Sequence, residues 1–306
     1  GDSLYVEDVF STYLYTGTGS PNVINNGIDL AGEGGLVWIK RRQNSEGHNL
    51  FDTLRGVSKV LHTDSTSIEQ NYVGAFTSFN SSGFTVDQSG YGVNDTGKTL
   101  ASWTFRKAEK FFDVVTYTGD GTADRQVAHN LGSVPGCLLL KRYDSADDWK
   151  VYHVGADATA PEDYVLELNT TAARANSVSA WNDTAPTDAN FTVNSGGSYN
   201  ASNGTYVAYL FASDAGGFGE DGDENIKGYD TTGDWVLHDN MRGVVTSGND
   251  KWLRPNKSNA ELTSENILFT ATGFKITSGY AYVNQSGKNY IYIAIRRPMK
   301  TPESGT

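Results

Sequence analysis

Several residue types are scarce in this chain, and each scarcity excludes a class of protein. A single cysteine, Cys137, among 306 residues allows no disulfide within the chain, and its apolar neighbours predict a small buried residue. No run of 18 apolar residues occurs and no leader pattern opens the sequence, so we predict neither a membrane span nor a signal peptide.

Basic residues are outnumbered by acidic ones. Lysine and arginine total 24 against 36 aspartates and glutamates, which gives a formal net charge of −12 at pH 7. Phosphate backbones are bound by clustered lysine and arginine, so this balance opposes nucleic acid as a partner.

The plentiful residues favour strands and turns. The chain has 34 glycines and 38% hydrophobic residues, and serine, threonine, asparagine and aspartate make up much of the rest. These types are commoner in turns and strands than in helices, and the length suffices for two or three domains, each with its own interior. We therefore predict an all-β protein.

Three segments of the chain share one order of motifs. In each, a leucine is followed three residues later by Asp or Asn, and a turn containing glycine or asparagine later precedes a strongly apolar strand. The leucines are Leu61, Leu166 and Leu253, the turn residues are Gly97, Asn203 and Gly287, and the strands are residues 100–105, 206–211 and 290–295. Glycine and asparagine at such places predict a turn with positive φ.

This repeat predicts tandem antiparallel β-sandwich modules of a jelly-roll-like kind. We assign copy 1 to residues 1–112, copy 2 to 113–219 and copy 3 to 220–306. Copy 3 lacks most of the opening hairpin and is predicted to be truncated. In copies 1 and 2, the apolar runs 37–40 and 138–141, each ending in lysine, are predicted to be a second core strand.

An Asp-x-x-Arg-Gly motif occurs twice in the chain. The paired residues are Asp52 with Arg55 and Asp239 with Arg242. Because Asp and Arg three residues apart can pair locally, we interpret both motifs as salt bridges that close a turn, with the glycine at positive φ. Recognition of an anion or a sugar is the alternative.

Patterns for catalysis are weak. His153 and His238 each follow a tryptophan at comparable places, but no nucleophile motif accompanies them. Glycoside hydrolysis needs two carboxylates about 5–10 Å apart, and no pair stands out among the acidic candidates. These candidates are Asp147, Asp148, Glu162 and Asp163. We therefore predict that the chain is not an enzyme.

The acidic run 219–225 resembles a calcium loop only in part. Asp221 and Asp223 are weak candidates for metal ligands, but the glutamate that completes such a loop is missing. A solvated linker is the favoured interpretation, and we predict neither a metal nor a cofactor.

Four aromatic residues in or beside polar loops are candidates for ligand contact. Loops held by a rigid sandwich commonly carry recognition, and aromatic faces stack on sugars or anchor interfaces. We predict as exposed contact residues Trp181, Tyr199, Tyr280 and Tyr282.

Several strings resemble a module that recurs in large virion proteins of tailed bacteriophages, particularly those of marine bacteria and cyanobacteria. They are VWIK at 37–40, HNLFDTLRG at 48–56, SFNSSGF at 78–84, WNDTAP at 181–186 and YIYIAIRR at 290–297. The resemblance extends from about Tyr13 to Met299. It implies a particle-associated protein on the tail that contacts the host surface.

Three functions follow as hypotheses. The first is a virion structural protein, either a tail fibre or a tail-associated adhesin. It would form homo-oligomers such as trimers, contact other virion proteins and bind host cell-surface polysaccharide through its loops. The second is a purely architectural particle protein without a ligand, and the third is a polysaccharide depolymerase. The expected location is the virion surface or tail, and the extracellular space after release.

Overall fold

The computed structural model describes residues 4–213, 232–243, 249–264, 267–270 and 273–295, and the backbone alone of 225–228. Antiparallel sheets dominate, so the predicted all-β sandwich fold is confirmed. The described α-helices are single turns of four residues, and none of them could cross a membrane.

Copy 1 is a sandwich of two main sheets. Its elements are α1 Val6–Val9, β1 Phe10–Thr16, β2 Asn22–Asn25, α2 Leu30–Glu33, β3 Gly35–Arg41, β4 His48–Asp52, β5 Lys59–Val60, β6 Gln70–Asn71, β7 Phe76–Asn80, β8 Gly83–Val86 and β9 Thr99–Arg106. The main sheets have the orders β1-β9-β3-β4 and β2-β8-β7, and β5 pairs with β6. The buried rings of Phe51, Phe76 and Phe84 belong to the core of this copy.

Copy 2 repeats this arrangement. Its elements are β10 Phe112–Thr118, β11 Arg125–Ala128, β12 Pro135–Arg142, β13 Lys150–His153, 3-10 turns Val154–Ala156 and Pro161–Asp163, β14 Tyr164–Glu167, β15 Ala175–Asn176, α3 Val178–Trp181, β16 Asn190–Val193, α4 Gly197–Asn200 and β17 Thr205–Ala212. The order β10-β17-β12-β13 matches β1-β9-β3-β4 and continues into β14 and β15, while β11 pairs with β16 as β2 pairs with β8.

Copy 3 has a smaller main sheet. Its elements are β18 Asn225–Gly228, β19 Val236–Leu237, β20 Asp250–Trp252, β21 Leu262–Ser264, β22 Ile267–Thr270, β23 Gly273–Ile276, α5 Ala281–Asn284 and β24 Tyr290–Ile293. The order is β19-β18-β24, so β18 lies between its neighbours as β12 lies between β13 and β17. The described part of copy 3 has no counterpart of β1 or β10, and because residues 214–224 lie outside the described residues, the truncation of copy 3 stays a prediction.

Strand register identifies equivalent residues in the three copies. In the central strand pair, Lys40 is opposite Ala101, Lys141 opposite Val207 and Lys227 opposite Ile291. The repeated leucines are also equivalent, because Leu61 bridges to Leu50, Leu166 to Val151 and Leu253 to Leu237. The predicted positive φ angles are 71° at Gly97, 62° at Asn203 and 71° at Gly287.

The largest hydrophobic core lies between the copies. All three contribute to it, with buried aromatic residues that include Trp38, Trp103, Trp149, Tyr209 and Trp235. Cys137 is buried in the same core, as predicted. The copies therefore share their main interior, whereas the sequence suggested separate interiors. The predicted boundary at 112/113 falls at β10 and the boundary at 219/220 lies outside the described residues, so the division into three domains stays a prediction.

Candidate functional site

Both Asp-x-x-Arg-Gly motifs form the predicted turn. Asp52 Oδ2 accepts a hydrogen bond from Arg55 Nε at 2.5 Å, and Asp239 Oδ2 accepts one from Arg242 Nε at the same distance. The following glycines have φ of 92° and 96°. Both ion pairs are buried, so each compensates two charges removed from water.

The two ion pairs also join neighbouring copies, which the sequence did not reveal. The Tyr209 hydroxyl of copy 2 donates to Asp52 Oδ2 at 2.7 Å, and Trp103 Nε1 of copy 1 donates to Asp239 Oδ2 at 3.2 Å. Tyr209 and Trp103 occupy equivalent places, opposite Leu139 and Trp38 on the adjacent strand. The same device thus fastens copy 2 to copy 1 and copy 1 to copy 3.

A histidine takes the place of the aspartate in copy 2. His153 Nδ1 accepts a hydrogen bond from the backbone N–H of Gly155 at 2.9 Å, and Nε2 lies 3.0 Å from the carbonyl oxygen of Tyr292 in copy 3. Burial lowers the pKa of His153, so the neutral ring donates from Nε2. This contact fastens copy 2 to copy 3 and completes a ring of three copies.

A second set of contacts joins the same three pairs of copies. In each copy, one strand ends at or just before Asp52, His153 or Asp239. The loop before that strand donates a backbone N–H to a carbonyl of a neighbouring copy. The pairs are Glu46 to Ser258 at 2.8 Å, Asp147 to Thr66 at 2.9 Å and Gly233 to Thr171 at 2.9 Å. The accepting residues each lie five positions after one of the repeated leucines, which shows that the three seams are equivalent.

Two buried lysines strengthen these seams. Lys40 Nζ donates to the carbonyls of Glu46 at 2.7 Å and Ser258 at 3.1 Å, and Lys141 Nζ donates to those of Asp147 at 2.5 Å and Thr66 at 3.0 Å. Burial lowers the pKa of each lysine to about 8. The lysines that end the predicted second core strand therefore tie one copy to the next.

Lys141→Met is expected to lower the free energy of unfolding by about 2 kcal/mol, because the carbonyls of Thr66 and Asp147 lose their charged donor, which is fully buried. Urea denaturation followed by tryptophan fluorescence measures the loss. Lys59→Met is the control, since the Lys59 side chain is 42% exposed and its ion pair with Glu69 is long at 3.4 Å. Equal losses in the two variants would contradict the role of Lys141.

Two tryptophans also donate hydrogen bonds across the seams between copies. Trp149 Nε1 donates to the carbonyl of His62 in copy 1 at 2.8 Å, and Trp235 Nε1 donates to the carbonyl of Glu167 in copy 2 at 3.0 Å. His48 holds this position in copy 1 and lies beside the backbone of Arg254 in copy 3. Each acceptor or neighbour directly follows a repeated leucine, so the three contacts are again equivalent.

His153 and His238 do not form a pair of equivalent residues. His153 matches Asp52 and Asp239, whereas His238 matches Phe51 and directly precedes Asp239. His238 is 3% exposed, and neither ring nitrogen has a hydrogen-bond partner among the described residues. Burial lowers its pKa to about 3, so the ring is neutral at physiological pH.

Two of the four predicted contact residues are buried, and the expectation that they are exposed is wrong. Trp181 is 2% exposed and donates from Nε1 to the carbonyl of Tyr164 at 3.0 Å, and Tyr199 is 6% exposed. Both lie in single helical turns, α3 and α4, whose rings point into the core of copy 2. Neither ring is available to a ligand in this conformation.

The other two form part of an aromatic stack. Tyr280 and Tyr282 have ring centroids 5.4 Å apart at an interplanar angle of 9°, and Tyr282 stacks on Trp252 at 5.2 Å and 22°. The guanidinium of Arg254 lies 5.4 Å from the Trp252 ring centroid. Tyr280 is half-exposed, and ligand binding by Tyr280 and Tyr282 stays a prediction.

The acidic candidates are engaged in local structure. Asp147 Oδ1 accepts a hydrogen bond from Ser198 Oγ at 2.9 Å, and Asp148 Oδ1 accepts one from Asn169 Nδ2 at 2.7 Å. The described residues contain no cluster of three His, Cys, Asp or Glu side chains that could hold a metal. Asp221 and Asp223 lie outside the described residues.

One protein family matches nearly the whole chain. Its model, a domain of unknown function (DUF7483), matches residues 6–222 and 225–298. The chain belongs to the DUF7483 family. No curated protein and no solved structure matches it. The matched residues extend through all three copies.

Proposed function

We propose that the chain is a structural protein of a tailed-bacteriophage virion, part of a tail fibre or of another tail-associated assembly. The observation that carries this proposal is the closed ring of three copies. Its ionisable seam residues, among them Asp52, Asp239, His153 and Lys141, bind other parts of the same chain. Side chains that make these internal contacts hold the three copies together as one rigid block, and they are not free to act on a substrate.

The sequence resemblance to phage virion modules supports the assignment to a particle. Further copies of the chain and other virion proteins are the proposed partners, and the virion surface or tail is the proposed location. One chain contains three similar copies arranged in a ring. The ring therefore matches the symmetry of a trimeric fibre, with three copies within one chain in place of three separate subunits.

Immunogold labelling of purified virions tests the proposal. An antibody raised against the recombinant chain is expected to label the tails of the phage that encodes it, and mass spectrometry of the same particles is expected to detect the chain. Unlabelled, chain-free particles would overturn the assignment.

An enzymatic test separates the depolymerase alternative. We expect no release of reducing ends when the recombinant chain is incubated with capsular polysaccharide or lipopolysaccharide from the host of that phage. Release that is lost in variants of paired acidic residues would replace the structural proposal with the depolymerase.

A further inference from the structure

Copy 3 differs from its sister copies at three positions that lie together. The positions are Trp252, where copies 1 and 2 have Val60 and Val165; Tyr280, where they have Gly90 and Gly196; and Tyr282, where they have Gly92 and Ser198. The equivalences follow from the neighbouring repeats, since position 252 precedes the bridging leucine and position 282 lies two residues before a repeated asparagine. Three small or aliphatic residues are thus replaced by three stacked aromatic rings in one copy.

The backbone loop opposite this stack has changed in a complementary way. In copy 1 a Cβ at Gly92 would lie 2.5 Å from Cγ of Glu46, and in copy 2 Ser198 donates to the Asp147 carboxylate. Copy 3 has Gly233 in place of that acid, and a Cβ there would lie 3.6 Å from Cα of Tyr282. Copy 3 thus has glycine in place of the acidic residue at the point where Tyr282 is present, so the loop leaves room for the stack.

The stack has an exposed aromatic face at its outer end and an ion pair beside its inner rings. Tyr280 is 50% exposed and covers Tyr282 with one face, which leaves its other face toward solvent. An ion pair between Arg254 Nη1 and Asp234 Oδ2, 2.8 Å apart, lies beside the inner rings, and both groups act on the pKa of Tyr282, which burial raises. An exposed tyrosine ring combines an apolar face with a hydroxyl group, which suits a ligand that has both apolar and polar faces.

We infer that the stack of Trp252, Tyr282 and Tyr280 binds a neutral carbohydrate, with one pyranose ring on the free face of Tyr280. The C–H groups of the sugar face the tyrosine ring, and a hydroxyl at the edge of the sugar reaches the Tyr280 hydroxyl. This binding activity goes beyond the proposed structural role and does not depend on it.

Two other occupants fit the surface less well. A nucleic acid base would stack equally well, but the net charge of −12 repels its phosphates. A protein partner needs roughly 800 Å² of surface on each side, whereas the stack exposes half of Tyr280 and a smaller part of Tyr282. A single sugar ring matches both the size and the charge of the site.

An array of neutral α- and β-linked oligosaccharides, followed by calorimetric titration with the best ligand, tests the inference. Wild-type chain is expected to bind at least one oligosaccharide. Tyr280→Ala is expected to weaken binding at least tenfold, and Tyr280→Phe to retain it within a few-fold. Tyr5→Ala removes a side chain that is 56% exposed in copy 1 and is expected to change nothing.

The absence of any bound oligosaccharide would overturn the inference, as would equal weakening by Tyr280→Ala and Tyr5→Ala. A change in the solution mass of the chain on Tyr280→Ala, without sugar binding, would assign the stack to contact between copies of the chain. Labelling of virions by the antibody is independent of each of these results, so the structural proposal and the carbohydrate site can fail separately.

Discussion

Asp239→Ala is expected to lower the free energy of unfolding by about 3–5 kcal/mol, the range for breaking a buried ion pair by removing one partner. The Arg242 side chain is fully buried and would keep a hydrogen bond to the Leu237 carbonyl, at 2.9 Å, and a longer contact, 3.6 Å, with the Glu261 carboxylate. The indole N–H of Trp103 would lose its acceptor at the seam between copies 1 and 3. Urea denaturation measures the loss.

Glu33→Ala is the matched control for this seam variant. Glu33 pairs with Arg106 at 3.0 Å, but the glutamate side chain is 51% exposed, so its removal is expected to cost less than about 1 kcal/mol. A loss on Asp239→Ala as small as that of the control would show that the ion pair does not fasten the ring.

His238→Phe is expected to stabilise the protein, by about 1–3 kcal/mol at pH 7. The imidazole is buried and neither nitrogen has a partner in the part of the chain that the structure describes, which costs free energy that a phenyl ring does not cost. Phenylalanine already occupies the equivalent position in copy 1 as Phe51. His153→Phe is the contrasting variant, because it removes hydrogen bonds to Gly155 and Tyr292, and it is expected to destabilise.

The gain from His238→Phe is expected to grow as the pH falls. The pKa of His238 is about 3 in the folded chain, below its ordinary value of 6.5, so unfolding takes up a proton between these two values. The wild-type chain therefore loses up to about 1.4 kcal/mol per pH unit below pH 6.5 through this residue. Thermal unfolding of both proteins at pH 7 and pH 5 measures the difference, and an equal gain at the two pH values would contradict a buried neutral histidine.

The sequence predicted the sandwich strands and turns because their determinants are local. The residue three positions after each repeated leucine is an example. Asp64, Asn169 and Asn256 each accept a hydrogen bond from a backbone N–H at the start of the neighbouring strand, at 3.0, 2.8 and 3.1 Å. A side chain that satisfies a fixed backbone donor recurs at a fixed spacing, and such a spacing is visible in one sequence.

The ring could not be predicted in the same way. Its seams rely on backbone carbonyls, such as those of Thr66 and Ser258, and any residue type supplies a carbonyl. The burial of Trp181 was not predicted either. Its polar neighbours indicate an exposed loop, whereas the residue lies in a single helical turn that directs its ring into the core. The ring supports a structural role, whereas the assignment to a phage particle rests on the resemblance and stays a prediction.

Joining the three copies in one polypeptide allows each to diverge on its own. A ring of three identical subunits would carry the same side chains at every seam and on every sector, whereas this one has aspartate at two seams, histidine at the third and tyrosines at 280 and 282 on one sector only. The three sectors are therefore chemically distinct although their folds correspond, so a partner can recognise one sector and not the other two.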